Sequence, residues 1–198
     1  MYVLETAQLT IQPFVMADLE AAHQLLDVEL QWAGPGISLE ERRERLQREI
    51  NLAAWQDSGC LYGYRAILLK PGQVLIGICG FLPILWLPPQ QALFWPQLFN
   101  HPSDRLYNYA SPELEIGYAL SPHYRGQGYA TEAVRALVDY AFRELRVQRL
   151  FATTNRKNTG SINLMKRLGM RVASNPEHPE MDWPNGPGVA GVIENKES

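Results

Sequence analysis

The stretch from Glu113 to Leu145 is the feature that most limits the folds open to this chain. Residues 113–120 alternate apolar side chains with polar or small ones, which predicts a strand with two distinct faces. Between Ala130 and Leu145, apolar residues recur at spacings of three and four, which predicts a long amphipathic helix. The segment Arg125-Gly-Gln-Gly-Tyr-Ala130 separates the two, and its glycines allow the backbone to turn tightly.

A second strand and a shorter helix follow this unit. We expect the strand at Arg149–Thr154 and the helix at Thr159–Leu168, with Gly169 ending the helix in a left-handed conformation. Strand, helix, strand and helix in succession predict a crossover unit with two parallel strands. The tail from Asn175 is rich in proline and glycine, and a last strand is expected at Gly188–Ile193.

The first half of the chain opens with a strand and two helices. The strand is expected at Gln8–Phe14 and the first helix at Ala17–Leu30. Ser38-Leu-Glu-Glu41 has the spacing of a capping box, which begins a second helix that reaches about Trp55. This helix is dense in charge, so we expect a solvated face with i,i+4 ion pairs, and a site for an acidic partner is the alternative.

Two apolar runs then predict a hairpin. Leu61–Leu69 and Val74–Leu82 have the composition of strands, and Lys70-Pro-Gly-Gln73 between them is a turn sequence.

Residues 83–112 follow neither a strand period nor a helix period. The segment holds six prolines and the aromatic residues Trp86, Phe94, Trp95, Phe99, Tyr107 and Tyr109. We interpret it as an insertion that forms a long structured loop, with a short helix around Gln91–Phe99. Because aromatic rings supply apolar area and cation–π contacts, we expect the loop to form one wall of the ligand site. A cover for the sheet or an oligomer contact is the alternative.

Composition excludes several classes of protein. The chain has 198 residues, of which 46% are hydrophobic and 20% are charged, so one globular domain is expected over residues 1–198. These values exclude disordered and collagen-like chains. The net charge of −3 argues against general nucleic-acid binding, because binding to phosphates requires a surplus of cations.

Cysteine content and apolar segments indicate the cellular setting. Cys60 and Cys79 are too few for a disulfide framework, so both are expected to be core thiols, with a disulfide or a catalytic thiol as the alternative. The start of the chain lacks the basic and apolar regions of a signal peptide. The most apolar stretch, Val74–Leu87, is too short and too broken to span a membrane. A cytoplasmic protein is therefore expected.

The turn from Arg125 to Ala130 has the chemistry of a phosphate site. Its glycines permit close approach of a ligand, and the free N–H groups at the start of a helix attract anions. Arg125 adds a positive charge suited to phosphate. The segment lacks the Gly-Lys-Ser/Thr of a Walker loop and the third glycine of a dinucleotide fingerprint. A diphosphate of another ligand class is favoured, and a helix start without a ligand is the alternative.

Five segments of the second half carry the motifs of one known family: Glu115-Ile-Gly-Tyr-Ala-Leu-Ser-Pro122, Arg125-Gly-Gln-Gly-Tyr-Ala-Thr-Glu-Ala133, Tyr140-Ala-Phe142, Asn158-Thr-Gly-Ser161 and Lys166-Arg-Leu-Gly-Met170. They resemble the GNAT superfamily of N-acetyltransferases, and within it the Rim-type (RimJ/RimL-like) ribosomal-protein alanine acetyltransferases. The strong match covers about residues 113–172. The family signature Arg/Gln-x-x-Gly-x-Gly/Ala falls on Arg125, Gly128 and Ala130.

The resemblance implies a fold and a co-substrate. The fold is a mixed, mostly antiparallel α/β sheet with a central splayed pair of parallel strands, flanked by helices, and acetyl-CoA binds where the strands splay. By the family pattern, the backbone of Tyr118 and Leu120 pairs with the pantetheine arm, and Asn158 contacts the same arm. The alternative for Asn158 is a plain helix cap. The amides that hold the diphosphate belong to Arg125, Gly126, Gln127, Gly128, Tyr129 and Ala130.

The resemblance also implies catalytic residues. No Cys-His pairing is apparent, so direct attack of an amine on acetyl-CoA in a ternary complex is expected. Glu115 is the candidate base, because it lies on a central strand close to the splay point, where partial desolvation raises the pKa of a glutamate. An exposed strand carboxylate is the alternative for Glu115, and Glu113, on the same face, is the second candidate. Many family members carry a tyrosine as general acid, but Met165 stands in its place. In the Rim-type branch the acid is a serine, which falls on Ser161, and a plain first-turn residue of the helix is the alternative.

The expected function is therefore transfer of an acetyl group from acetyl-CoA to a primary amine, either a protein N-terminus or a small amine. A catalytically silent module that binds acyl-CoA is the alternative, and the absent tyrosine supports it. The acceptor remains open from sequence alone, and so does a homodimer. No metal is expected to take part, and no membrane partner.

Overall fold

Eight strands and four helices form the part of the chain that this computed structural model describes, residues 3–55, 62–86, 98, 111–174 and 188–195. The strands are β1 (Leu4–Glu5), β2 (Leu9–Gln12), β3 (Gly63–Leu69), β4 (Val74–Trp86), β5 (Ser111–Leu120), β6 (Arg149–Thr154), β7 (Arg171–Ser174) and β8 (Val189–Glu194). The helices are α1 (Leu19–His23), α2 (Leu39–Trp55), α3 (Tyr129–Arg143) and α4 (Thr159–Arg167).

The strands form one hydrogen-bonded sheet in the order β1-β2-β3-β4-β5-β6-β8-β7. Strand β5 pairs with β6 in parallel, and the pairings of β1 to β4 and of β6, β8 and β7 are antiparallel. The mixed α/β fold expected from the family resemblance, including its parallel pair, is thereby confirmed. The chain divides into two compact units, and β4, β5 and α3 contribute residues to both.

The first unit comprises Met1–Phe81 and Gly117–Leu137. Here the predicted hairpin is confirmed, because β3 and β4 pair around a turn at Pro71–Gln73. Helix α1 continues as a π-helical turn at Gln24–Glu29. The two segments together match the helix predicted at Ala17–Leu30. The buried core of this unit joins the strands to α1 and α2 through Phe14, Leu19, Ala22, Leu25, Leu26, Leu46, Ala66, Leu68 and Ile78.

The predicted capping box at the start of α2 is confirmed. The N–H of Ser38 donates to Glu41 Oε2 at 2.9 Å, and the N–H of Glu41 donates to Ser38 Oγ at 3.2 Å. The i,i+4 spacing predicts two ion pairs, Glu41 with Arg45 and Glu44 with Arg48. Glu44 and Arg48 lie 3.8 Å apart, whereas the Glu41 carboxylate is held by Ser38.

The charged face of α2 is largely exposed, as expected, and Arg42 is the exception. This side chain is only 3% exposed, and its guanidinium donates to both carboxylate oxygens of Asp27, at 2.8 and 2.5 Å. His23 Nδ1 lies 2.9 Å from the same carboxylate. Charge periodicity did not reveal this residue, because its partner lies on a different helical segment, 15 residues earlier.

The second unit comprises the described residues of Leu82–Ile116 and Val138–Ser198. Strand β6 occupies the predicted residues, and β8 pairs with it in antiparallel register. The predicted last strand is confirmed with a shift of one residue. Strand β7 was not predicted, because it has only four residues and begins two positions after the glycine that ends α4.

The aromatic and proline-rich segment is described only at its ends. Strand β4 extends to Trp86 and β5 begins at Ser111, so the strands reach further into residues 83–112 than expected. Apart from the buried Leu98, the remainder, including the predicted helix at 91–99, lies outside the described residues. Cys79 is a buried free thiol, as expected, whereas Cys60 lies outside the described residues. Within the described ranges, no helix has the length and apolar character needed to cross a membrane.

Candidate functional site

The glycine-rich turn leads into α3 as the sequence predicts. Gly126 and Gly128 have φ angles of +78° and +90°, in the left-handed region that favours glycine. A Cβ atom at either position would meet nothing within 4 Å, so the surface above the turn is open. Helix α3 begins at Tyr129, one residue after the second glycine.

The backbone N–H groups of residues 126–130 have no hydrogen-bond acceptor among the described parts of the chain. The first amide with a partner after them is that of Glu132, which donates to the carbonyl of Gly128 at 3.0 Å. Successive N–H donors without a partner at the start of a 15-residue helix suit an anion. The dipole of α3 adds partial positive charge at the same end.

Arg125 does not extend away from the turn. Its Nε and Nη2 atoms donate to the carbonyl oxygen of Leu120, at 3.2 and 3.1 Å. The side chain of Gln127 likewise donates to the His123 carbonyl, at 3.3 Å. The Arg125 side chain, which the sequence assigned to phosphate, therefore bonds the backbone of its own turn. So does the Gln127 side chain, of which only the backbone amide was assigned to the cofactor.

The C-terminal part of β5 carries the backbone assigned to the pantetheine arm. Leu120 is the last residue of β5 and is 7% exposed, and Tyr118 is half-buried. The following residue, Ser121, donates its N–H to the carbonyl of Ile76 on β4, at 2.9 Å. The end of β5 is therefore fixed to its neighbour in the sheet at the point where the turn begins.

Within the second unit, Glu115 lies on β5 beside the parallel strand β6. Its register partner is Phe151, and its carboxylate accepts a hydrogen bond from the hydroxyl of Thr153. Burial raises the pKa of Glu115 above the ordinary value, and the hydrogen bonds from Thr153 oppose that shift only in part. The candidate base thus has the raised pKa that the sequence argument expected. The side chain of Glu113 lies outside the described residues.

Asn158 caps helix α4. Its Oδ1 atom accepts from the N–H of Ser161 at 3.1 Å, so the cap proposed as the alternative for this residue is present. Ser161 lies in the first turn of α4 and is half-buried. The cap holds the Ser161 backbone and leaves its hydroxyl to other partners.

Met165, which stands where the family pattern has a tyrosine, is packed in the core. Met165 is 1% exposed and Met170 is 6% exposed. Both sulfur atoms pack over Gly191 on β8, where a Cβ atom would lie 3.0 and 3.2 Å from them. Met165 therefore has a structural role in the second unit, and its thioether cannot donate a proton.

An aromatic pair in the first unit was missed by sequence reasoning. The rings of Trp32 and Tyr64 meet edge to face, with their centroids 5.6 Å apart, and Trp32 is 44% exposed. The ring of Tyr64 occupies the space beside Gly117 on β5, where a Cβ atom would lie 2.6 Å from the hydroxyl oxygen. The two aromatic residues are 32 positions apart, so no local pattern joins them.

Among the described side chains, no group of three or more potential metal ligands is present.

The fold and the amide-lined turn define a mixed α/β protein with a row of backbone N–H groups at the start of its long helix. The profile of the acetyltransferase (GNAT) domain family matches residues 8–171. The chain therefore belongs to the GNAT acetyltransferase family.

Individual relatives agree with this assignment. The chain is 42% identical over 57 residues to YnaD of Bacillus subtilis (strain 168), described as an uncharacterized N-acetyltransferase, a match that covers 29% of this chain and 34% of that protein. The chain spans less than half the length of the curated relatives that it matches first.

Solved structures show the same fold over almost the whole chain. A GNAT acetyltransferase from Bacillus anthracis has a TM-score of 0.70 at 20% identity, covering 98% of this chain and 99% of that one. RimL, a ribosomal L7/L12 α-N-protein acetyltransferase in complex with coenzyme A, has a TM-score of 0.68 at 16% identity, with both chains fully covered.

Proposed function

We propose that this protein transfers the acetyl group of acetyl-CoA to a primary amine by direct attack in a ternary complex. The amine nitrogen forms a bond to the acetyl carbonyl carbon, and the bond from that carbon to sulfur breaks. An acceptor that arrives as an ammonium ion first loses one proton to a base. After the attack the nitrogen loses a second proton, and the leaving thiolate gains one. The products are an N-acetylated amine and free CoA.

The row of unpaired amides at residues 126–130 is the observation that carries this proposal. The diphosphate of CoA matches it, because phosphate oxygens accept several N–H bonds at once and carry the charge that a helix N-terminus favours. The family membership supports the same ligand, and RimL, a neighbour in fold, is described in complex with coenzyme A. Tyr118 and Leu120 would offer backbone groups to the pantetheine arm. Asn158 would contact the same arm in addition to capping α4.

In the proposed reaction, Glu115 takes the proton of the amine. A raised pKa makes this carboxylate a stronger base than an exposed one, which suits proton transfer near neutral pH. The transfer can proceed through one water molecule.

Ser161 is the proposed donor of a hydrogen bond or proton to the thiolate. Met165 stands in place of the tyrosine that acts as general acid in many family members, and the Rim-type pattern assigns that role to the hydroxyl of Ser161. Ser161→Ala should lower kcat and leave the affinity for acetyl-CoA unchanged, since the Asn158 cap binds the backbone N–H that alanine retains. If kcat is unchanged, a water molecule protonates the thiolate instead.

The acceptor is proposed to be a protein N-terminus or a small amine. A protein N-terminus corresponds to the Rim-type branch, and RimL is named as an α-N-protein acetyltransferase. The net charge of −3 suits a basic acceptor. Labelled acetyl-CoA added with the protein to a cell extract, followed by mass spectrometry, would identify the molecules that gain the label. Binding of acetyl-CoA without any labelled product would favour the catalytically silent module.

The cofactor site is tested by Gly128→Asp. The substitution places a negative charge among the amides, so calorimetry should show loss of CoA binding. Gly36→Asp is the matched control, because Gly36 also has a positive φ, +82°, and open space around it, but lies in the loop before α2. Retained CoA affinity in a folded Gly128→Asp protein would remove the proposed site.

A further inference from the structure

Arg125 forms a bridge across the turn that precedes the amide row. Its Nε and Nη2 atoms donate to a single acceptor, the carbonyl oxygen of Leu120, which lies at the end of β5. The bridge joins the residue before Gly126 to the strand that leads into the turn. Two N–H donors on one rigid guanidinium restrict the orientation of the side chain more than one donor would.

The beginning of the turn is fixed independently of Arg125. Ser121 is 3% exposed and donates its N–H to Ile76 on β4 at 2.9 Å, and its carbonyl accepts from the N–H of Tyr124 at 3.0 Å. The Arg125 amide bonds the Pro122 carbonyl at a longer distance, 3.4 Å. Beyond Arg125, the backbone amides up to residue 130 have no partner among the residues that the structure describes. The Arg125 side chain is thus the last described contact that ties the turn to β5 before the amide row.

We propose that Arg125 is a positioning residue, which fixes the amide row relative to the end of β5, and that its charge is not a phosphate ligand. The inference rests on the proposed function, in which β5 binds the pantetheine arm and the amides bind the diphosphate. The two halves of one ligand require a fixed spacing between these two backbone segments. Arg125 sets that spacing before the ligand arrives, which lowers the ordering cost of binding.

Glutamine and methionine separate the two roles of arginine. The Nε2 atom of glutamine is as many bonds from Cα as the Nε atom of arginine, so glutamine can donate to the Leu120 carbonyl without a charge. Methionine has a similar length but neither a charge nor an N–H donor. A positioning role therefore predicts that Arg125→Gln resembles the wild type and that Arg125→Met does not. A phosphate ligand predicts that both variants lose affinity alike.

The test measures the Kd for acetyl-CoA by calorimetry at low and high salt. For Arg125→Gln we expect a Kd within about threefold of wild type and the same salt dependence, since no charge is lost from the phosphate site. For Arg125→Met we expect a Kd about tenfold higher at both salt concentrations, about the effect of one hydrogen bond. Arg43→Gln controls for the change in net charge, because Arg43 is an exposed residue of α2. A salt-dependent loss of affinity in Arg125→Gln as large as the loss in Arg125→Met would overturn the inference.

A second measurement does not need the ligand to bind. The Nε–H resonance of Arg125, assigned by its absence in Arg125→Met, should be protected from exchange with water in the free protein. The chemical shift of this resonance should change little when acetyl-CoA is added. Rapid exchange in the free protein, or a large shift on addition of acetyl-CoA, would contradict the positioning role. Absence of acetyl-CoA binding by the wild type would refute the proposed function, and the protection of this resonance would still decide the inference.

Discussion

The carboxylate of Glu115 on β5 accepts a hydrogen bond from the hydroxyl of Thr153, on the parallel strand β6. The two strands are joined in sequence by α3, so the pair exists only because the crossover returns the chain beside β5. Burial raises the pKa of Glu115, and Thr153 restrains that rise. The pair therefore influences the pH at which Glu115, the proposed base, becomes ionised.

Replacement of Glu115 by glutamine should lower kcat by about 10² or more, the size of a general-base contribution, with a smaller effect on acetyl-CoA affinity. A base must be ionised, so wild-type activity should rise with pH through the raised pKa of Glu115. The variant should lack that rise, and its deficit should shrink at high pH as the amine loses its proton unaided. Steady-state rates between pH 5 and 9 would measure this. Equal rates for both proteins near neutral pH would assign Glu115 a structural role.

Thr153→Val should move the acidic limb of the pH–rate profile toward higher pH. The hydroxyl hydrogen bond lowers the pKa of Glu115, so its removal leaves the burial effect less opposed. Valine preserves the shape and the β-branched character of the strand residue. Thr154→Val, at the next position on β6, is the matched control and should leave the profile in place. If the acidic limb does not shift in Thr153→Val, this hydroxyl does not affect the titration of Glu115.

Much of the fold was predictable because its signals are local. The alternation in β5, the apolar spacing of α3, the capping box at Ser38 and the hairpin turn at Lys70 each lie within one short segment of sequence. Strand β7 was missed, since four residues shortly after a helix provide too short a pattern for a period to be recognised.

The candidate site was predictable in position and less so in detail. The glycines of the turn and the location of Glu115 follow from motifs. The Arg125 bridge to Leu120, the Thr153 partner of Glu115 and the Asp27–Arg42 pair do not, because each depends on which backbone or side-chain atom lies nearby after folding. Residue types predict which chemistry is available, and tertiary structure decides which partner uses it.

The buried pair of Asp27 and Arg42 should contribute strongly to stability. Asp27→Asn leaves the Arg42 guanidinium buried without a counter-charge, which typically costs about 3–5 kcal/mol. Burial by itself would raise the pKa of Asp27, but hydrogen bonds from Arg42 and His23 outweigh it and hold the pKa below the ordinary value.

A carboxylate with a lowered pKa stabilises the fold above its unfolded-state pKa of about 4 and loses that contribution as the pH falls further. The difference between wild type and Asp27→Asn in free energy of unfolding should therefore be large at pH 7 and smaller near pH 3. Urea denaturation at both pH values measures it. Glu40→Gln, at an exposed ion pair of α2, is the control and should change little. A pH-independent difference would show that the carboxylate is not ionised in the folded protein.

Gly117→Ala should destabilise the protein through Tyr64 alone. No positive φ is recorded at Gly117, so the backbone accepts alanine, but the new Cβ would lie 2.6 Å from the Tyr64 hydroxyl oxygen and 2.7 Å from Cε1. The ring must then move and disturb its edge-to-face contact with Trp32, an overpacking cost of about 1–3 kcal/mol.

In a Tyr64→Leu background the same substitution should cost little, because the clash is gone. Urea denaturation of the two single variants and the double variant gives the coupling energy. Gly160→Ala, where a Cβ meets nothing closer than 3.6 Å, controls for the added methyl group. Additive costs in the double variant would mean that Gly117 is required for a reason other than the room that Tyr64 takes.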